Sequence, residues 1–214
     1  MNRTPTSHGF ALPTLMVFLA LASIALLLAM RNLWVNELLL NAASDQLRTQ
    51  QKAEAVFAVA LIDVIGTASV NSTDAIANLR HTLGSSAQTH VFFPTSLDEY
   101  DILRQRLGTS TSTCSEGICA PNTLNANASQ ASYWRDQIAT AMPIKASDTP
   151  YGNNTAWYWV EVFPQTNSSA FVYRITALAN GVMPNSTSVL QAVWARNTPT
   201  SSSGQWRSWQ VLHD

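Results

Sequence analysis

The run Gly9-Phe10-Ala11-Leu12-Pro13-Thr14-Leu15-Met16-Val17 opens the stretch whose reading decides the fold, and that stretch ends only at Gly66. Phe10 to Met30 carries no charge, and between Pro13 and Gly66 there is neither a glycine nor a second proline. With no breaker in the way, about 50 residues rising 1.5 Å each predict one helix roughly 75–80 Å long. Pro13 falls in its first turn, where a missing N–H costs little. The apolar part, Phe10–Met30, is 21 residues, enough to span ~30 Å of hydrocarbon. It is longer than the apolar core of a cleaved secretory signal, and small-x-small triplets such as Ala20-Leu21-Ala22 lie inside it rather than after it, so a retained membrane segment is expected. Arg3 favours a cytoplasmic amino terminus, and Arg31 at the far end works against that bias.

Beyond Arg31 the helix turns amphipathic. Val35, Leu39 and Ala42, then Ala53, Val56, Phe57, Ala60 and Val64, recur in steps of three and four and mark one face. Gln46, Thr49 and Gln50 interrupt the stripe, which predicts an exposed polar middle. Val56 to Ile65 is apolar on most sides, which predicts burial beneath a sheet, and Gly66 is a good stop. The expected organisation is therefore a short polar segment at 1–9, 10–30 as a transmembrane half-helix, 31–65 as its continuation outside the membrane, and 66–214 as a globular domain.

In that domain, Ser72 to Asp74 can cap a short helix through Leu83, Val91-Phe92-Phe93 before Pro94 reads as a short edge strand, and Ser96-Leu97-Asp98-Glu99 is a capping box opening a helix to about Leu107. Ser132 to Ala141 reads as a short helix or turn that Pro143 ends. The period then changes to two. Trp157–Phe163, Ala170–Ala177, Val189–Ala195 and Trp206–Leu212 are strand-like, with Tyr158, Val160 and Val162 on one face, Phe171, Tyr173 and Ile175 on another, and Val189 with Val193 on a third. Four such strands predict an antiparallel meander covered by Val56–Ile65. The fold class is α+β, a long N-terminal helix packed on an antiparallel sheet.

Net charge is −1 with 12% charged residues, which excludes a basic nucleic-acid surface. Cys114 and Cys119 are the only two cysteines; an even pair behind an N-terminal membrane segment reads as one disulfide outside the cytosol, with two free thiols as the alternative. Gly117 permits the turn between them. A metal site is not expected, since structural zinc wants four ligands and only His81 and His90 lie near. No nucleophile, metalloprotease or phosphate-loop motif is present, so neither catalytic residues nor a cofactor are expected. Glu161, set among Trp157, Trp159 and Phe163, is expected to pair with Arg174 on the next strand.

Gly9-Phe10 followed by an apolar helix resembles the class III signal of type IV pilins and pseudopilins. The resemblance implies that a prepilin peptidase cuts between Gly9 and Phe10 on the cytoplasmic side, and that Phe10 is then N-methylated. Family members mostly carry Glu as the fifth mature residue, where this chain has Thr14. A few minor pilins and the tip pseudopilin of type II secretion share that departure, which argues against the repeating major subunit. Cys114-x-x-Gly117-Ile118-Cys119-x-Pro121 then Tyr133-Trp134, and Tyr173-Arg174-Ile175-Thr176-Ala177 then Val189-Leu190-Gln191-Ala192-Val193, resemble the corresponding regions of PilX-like minor pilins. The resemblance implies a pilin-like fold and an inner-membrane precursor with a periplasmic domain that later joins a type IV pilus. It also implies partners: other minor pilins, the major pilin and a tip adhesin. The alternatives are a pseudopilin of type II secretion and a single-pass anchored periplasmic binding domain.

Overall fold

The computed structural model describes residues 11–66, 80, 91–108, 113–121, 123–144, 155–165, 170–198 and 203–214. The expected leader with Gly9 and Phe10, the expected helix from Ser72 to Leu83 apart from Arg80, and both His81 and His90 lie outside them. The chain divides into two compact units, Met1–Ser44 and Asp45–Asp214.

One helix, α1 (Ala11–Ile65, 55 residues), runs through the boundary. Its residues are mostly Leu, Ala and other strong helix formers, and the Gly66 amide closes it on the Ile62 carbonyl at 2.7 Å. In the first unit every side chain from Leu12 to Ala43 is exposed.

The second unit is built on a mixed, mostly antiparallel sheet of seven strands. The four long strands are β4 (Ala156–Pro164), β5 (Phe171–Asn180), β6 (Thr187–Arg196) and β7 (Gly204–Leu212), paired antiparallel in chain order. Their bounds lie close to the expected ones. The meander is not the whole sheet, however. β1 (Cys114–Ser115) and β2 (Ile118–Cys119) form a hairpin, and β2 adds to β4 in parallel, Ile118 opposite Val160. β3 (Met142–Pro143) adds antiparallel along the same edge of β4, opposite Tyr158 and Trp157. Pro143 tolerates this because it sits on an edge, where its missing donor breaks no central ladder.

One sheet face packs on α1. Ala53, Val56, Phe57, Ala60 and Val64 are buried against Tyr158, Val160 and Val162 of β4, Tyr173, Ile175 and Ala177 of β5, and Leu190, Ala192 and Trp194 of β6. On β6 the helix-facing set is therefore the even-numbered one. Val189, expected on the covered face, points the other way and joins Trp159, Leu178 and Leu212. That outer face has its own cover. Trp134, Ala131 and Ala128, from α3 (Ala131–Asp136) and the 3-10 turn before it, pack there with Cys114 and Cys119. The helix α2 (Leu97–Leu107) buries Tyr100, Leu103 and Leu107 in the same core cluster. Ser96 caps it by accepting from the Glu99 amide at 3.3 Å, and Glu99 reaches back to the Thr95 amide at 2.7 Å, one residue further than in a standard box. Val91, Phe92 and Phe93 are buried but are not a strand: the Phe93 amide donates to the Arg80 carbonyl, and the stretch packs as core-filling coil.

Candidate functional site

The first candidate surface is the α1 segment of the first unit. Pro13 and Thr14 both lie exposed on it. From Leu12 to Ser44 the only ionisable side chains are Arg31 and Glu37, and the most apolar window has a mean hydropathy of 2.5. Its one serine before Arg31 is neutralised locally, Ser23 Oγ donating to the Leu19 carbonyl at 2.7 Å. Phe18 is 73% exposed and Leu27 is 65% exposed. Such continuous apolar surface in water opposes the hydrophobic effect on every turn; a bilayer or a sheath of similar helices removes the penalty. By length and composition, this helix can cross a membrane.

The second site begins at Asp45, the first residue of the second unit and one of its few buried polar side chains. Its carboxylate accepts the backbone amides of Val182 and Met183, both at 3.0 Å, from the loop between β5 and β6. One turn on, Thr49 donates to the Asp45 carbonyl at 2.7 Å and meets Ser186 Oγ at 3.3 Å. Lys52 continues the series, donating to Thr155 and to the Asn180 carbonyl. The loop approaches so closely that a Cβ on Gly181 would lie 2.5 Å from Asp45 Oδ2 and from Thr49 Oγ1. Hydrogen bonds from Met183, Val182 and Ser186 hold the Asp45 pKa below its ordinary value, outweighing its desolvation. The polar middle of the helix is thus not an exposed spacer: Asp45 and Thr49 are buried, and they fasten the helix to the domain. The signal was available, since Asp45, Thr49, Ala53, Val56, Ala60 and Val64 fall on one stripe.

The third site is the hairpin of β1 and β2. A disulfide joins Cys114 to Cys119 across it, with the Cα atoms 4.0 Å apart. Glu116 and Gly117 make the turn at φ 49° and 75°, and at Gly117 a side chain would meet Met142 Cβ at 2.6 Å, so only glycine fits. The Gly117 amide donates to the Thr140 carbonyl, and its carbonyl accepts from the Val160 amide, each at 2.7 Å. The hairpin is thereby stitched to both the segment before β3 and the sheet. Nearby, Gln191 donates to Thr176 Oγ1 at 2.9 Å and to the Ala128 carbonyl at 3.1 Å, while Trp134 Nε1 donates to the same carbonyl at 2.9 Å.

Glu161 and Arg174 stand opposite each other on β4 and β5 and form a two-pronged ion pair, 2.5 and 2.6 Å. Burial raises the Glu161 pKa, and the hydrogen bond and charge of Arg174 oppose that rise. Both Glu161 oxygens are engaged, so the pair reads as a satisfied structural contact. Among the described residues no group of three or more His, Cys, Asp or Glu is placed to hold a metal ion.

A last feature was not foreseen. Phe57 and Trp206 meet edge to face at 6.0 Å, and with Glu54, Ala58, Leu61, Ala192 and Trp209 they line an open groove of about 590 Å³ between α1 and β7. The fold and these surfaces define an α+β chain with a long N-terminal apolar helix that becomes the core helix of a sheet domain. Comparison of the chain with protein-family models, with curated proteins and with solved structures finds no match.

Proposed function

We infer that this chain is a PilX-like minor pilin of a type IV pilus, part of the tip or priming complex that starts assembly. The observation that carries the reading is one helix with two environments: a charge-poor, wholly exposed stretch after Gly9-Phe10, continuous with a stretch buried as the core helix of a sheet domain. A subunit that is stored in a bilayer and then moved into a helical bundle needs that design. In this reading prepilin peptidase cuts after Gly9, the membrane holds the 10–30 segment, and the 45–214 unit faces the periplasm and later the filament surface. The work is structural, and the partners are other minor pilins, the major pilin and a tip adhesin.

Thr14 refines the position. In the family, the fifth-residue Glu meets the terminal amine of an adjacent subunit inside the apolar core. A threonine cannot supply that charge, and an unpaired amine in a low-dielectric core is costly. A continuous stack of this chain is therefore disfavoured, whereas a terminal place, or one where a partner's Glu serves the Phe10 amine, is not. The test is quantitative mass spectrometry of sheared filaments with gold labelling of the 45–214 unit. The expected result is a mature chain beginning at N-methylated Phe10, in few copies, at one end. An intact 1–9 leader in filament fractions, or labelling along the whole shaft at major-subunit abundance, would overturn the reading.

A further inference from the structure

The two edges of the sheet are unlike. At one edge the outermost strand, β1, is two residues long and locked into its hairpin by the disulfide. At the other, β7 is nine residues long, pairs among the described residues only with β6, and is exposed at every position from Gln205 to Gln210. An open edge of this length presents a row of backbone donors and acceptors that only another extended chain can satisfy as a ladder. Proteins ordinarily shorten or charge such edges, and β7 carries one charge, Arg207.

The side chains beside that edge say what kind of extended chain fits. Register runs from Ser208 opposite Val193 directly to Trp206 opposite Trp194, so Arg207 is the extra residue of a bulge. Plain alternation would put Trp206 and Trp209 on opposite faces. The bulge brings both to the face of Ala192 and Trp194, beside α1, where they stand 47% and 50% exposed at the mouth of the groove. The walls and floor are otherwise apolar except for Glu54, the one charged lining residue. Glu54 is exposed, and the one contact described for it is a 3.3 Å hydrogen bond from the neutral Gln50. A cation seated there meets a carboxylate and aromatic rings together. A second copy of β7 does not bring one: its groove-side residues are Trp206, Trp209 and Val211, and its Arg207 sits at the bulge.

We propose that the groove between α1 and β7 docks an extended segment of a different polypeptide, which adds a strand to β7, lays an apolar side chain against Trp206 and Trp209, and places a lysine or arginine on Glu54. The proposal rests on the 45–214 unit alone and does not require the pilin reading.

The test uses the full chain in a neutral detergent and fluorescein-labelled peptides read by anisotropy. The first peptide is acetyl-Thr-Val-Thr-Arg-Thr-Val-Thr-amide, whose valines and arginine share one face of an extended strand; one counterpart carries glutamate in place of arginine, and another carries proline in place of the second valine and of the threonine before it. The arginine peptide is expected to saturate and to slow amide exchange along β7, the glutamate peptide to bind about fivefold more weakly, and the proline peptide to lose binding. Glu54→Lys, at an exposed position that leaves the core untouched, should invert the preference toward the glutamate peptide. Trp206→Ser with Trp209→Ser should weaken binding at least about tenfold. Absence of saturable binding by the arginine peptide, equal binding of the arginine and glutamate peptides, or unchanged binding by the double tryptophan variant would each overturn the proposal.

Discussion

Residues 12–43 and 45–65 belong to one helix and use it in opposite ways. In the first stretch every side chain is exposed and most are apolar; in the second the apolar side chains are sorted, with Ala53, Val56, Phe57, Ala60 and Val64 buried and Glu54, Ala58 and Ile62 outside. Secondary structure is therefore not what separates the two stretches. The first is exposed throughout and, as far as Met30, apolar nearly all round, as a segment meant for lipid or for a bundle is. The second has a sheet, so a stripe suffices. The change falls at Asp45, where a carboxylate is buried because two loop amides reach it.

The largest effect expected from this contrast comes from placing one charge in each stretch. Val56→Asp puts an unpaired carboxylate into the core and should cost at least about 3 kcal/mol, enough to unfold a marginal domain. Leu26→Asp should leave thermal unfolding of the sheet domain unchanged and instead impair membrane insertion, by roughly 2.5–3.5 kcal/mol at a helix centre. Equal loss of domain stability in both variants would break the comparison. The measurement is a circular-dichroism melt beside a membrane-extraction assay.

Replacing both cysteines by serine should cost about 2–3 kcal/mol, the range for a short closed loop. The loss should concentrate on the outer sheet face around Trp134 and Trp159, and amide exchange in 53–64 should change little at temperatures well below unfolding. Gly181→Ala should cost about 1–3 kcal/mol by forcing the loop off the helix, with faster exchange at Val182 and Met183 as its signature. The smallest effect concerns pH. The folded pKa of Asp45 lies below its ordinary value, so its contribution is fully present above that value and is lost as pH falls through the lowered one. Acid should therefore release the 181–186 loop before the sheet melts, and Asp45→Asn should flatten that step. Exchange at Val182 that does not vary with pH in the wild type, after correction for intrinsic rates, would contradict the clamp.

How much of this was legible depended on periodicity. The four long strands announce themselves by alternation, and α1 by its lack of breakers. β1, β2 and β3 are two residues each, too short to show any period, and their pairing with β4 is made by tertiary contact. Val91-Phe92-Phe93 has the composition of a strand, but its described backbone bond goes to Arg80 and it packs as coil. On β6 both faces are covered, and hydrophobicity alone did not say which side met α1. That Trp206 and Trp209 share a face was not legible, because plain alternation separates them and a bulge cannot be seen in a single strand. Thr49 was read as solvent-facing because polar residues usually are; its place on the core stripe, one turn from Asp45, carried the opposite message. Glu161 with Arg174 was readable from alternation across a hairpin. The processing positions Gly9 and Phe10 fall outside the described residues.

The Asp45 fastening has a mechanical consequence. A pull applied to the chain at Ser44 enters the sheet domain through Asp45, and the first bonds to feel it are those to Val182 and Met183, followed one turn later by Thr49 and then by Lys52. The load is thus shared with the β5–β6 loop, and through it with the two central strands, before it reaches the apolar contacts of Ala53 and Val56. Tension along α1 is met by a row of polar fasteners at the point of entry, which protects the core from being peeled one side chain at a time.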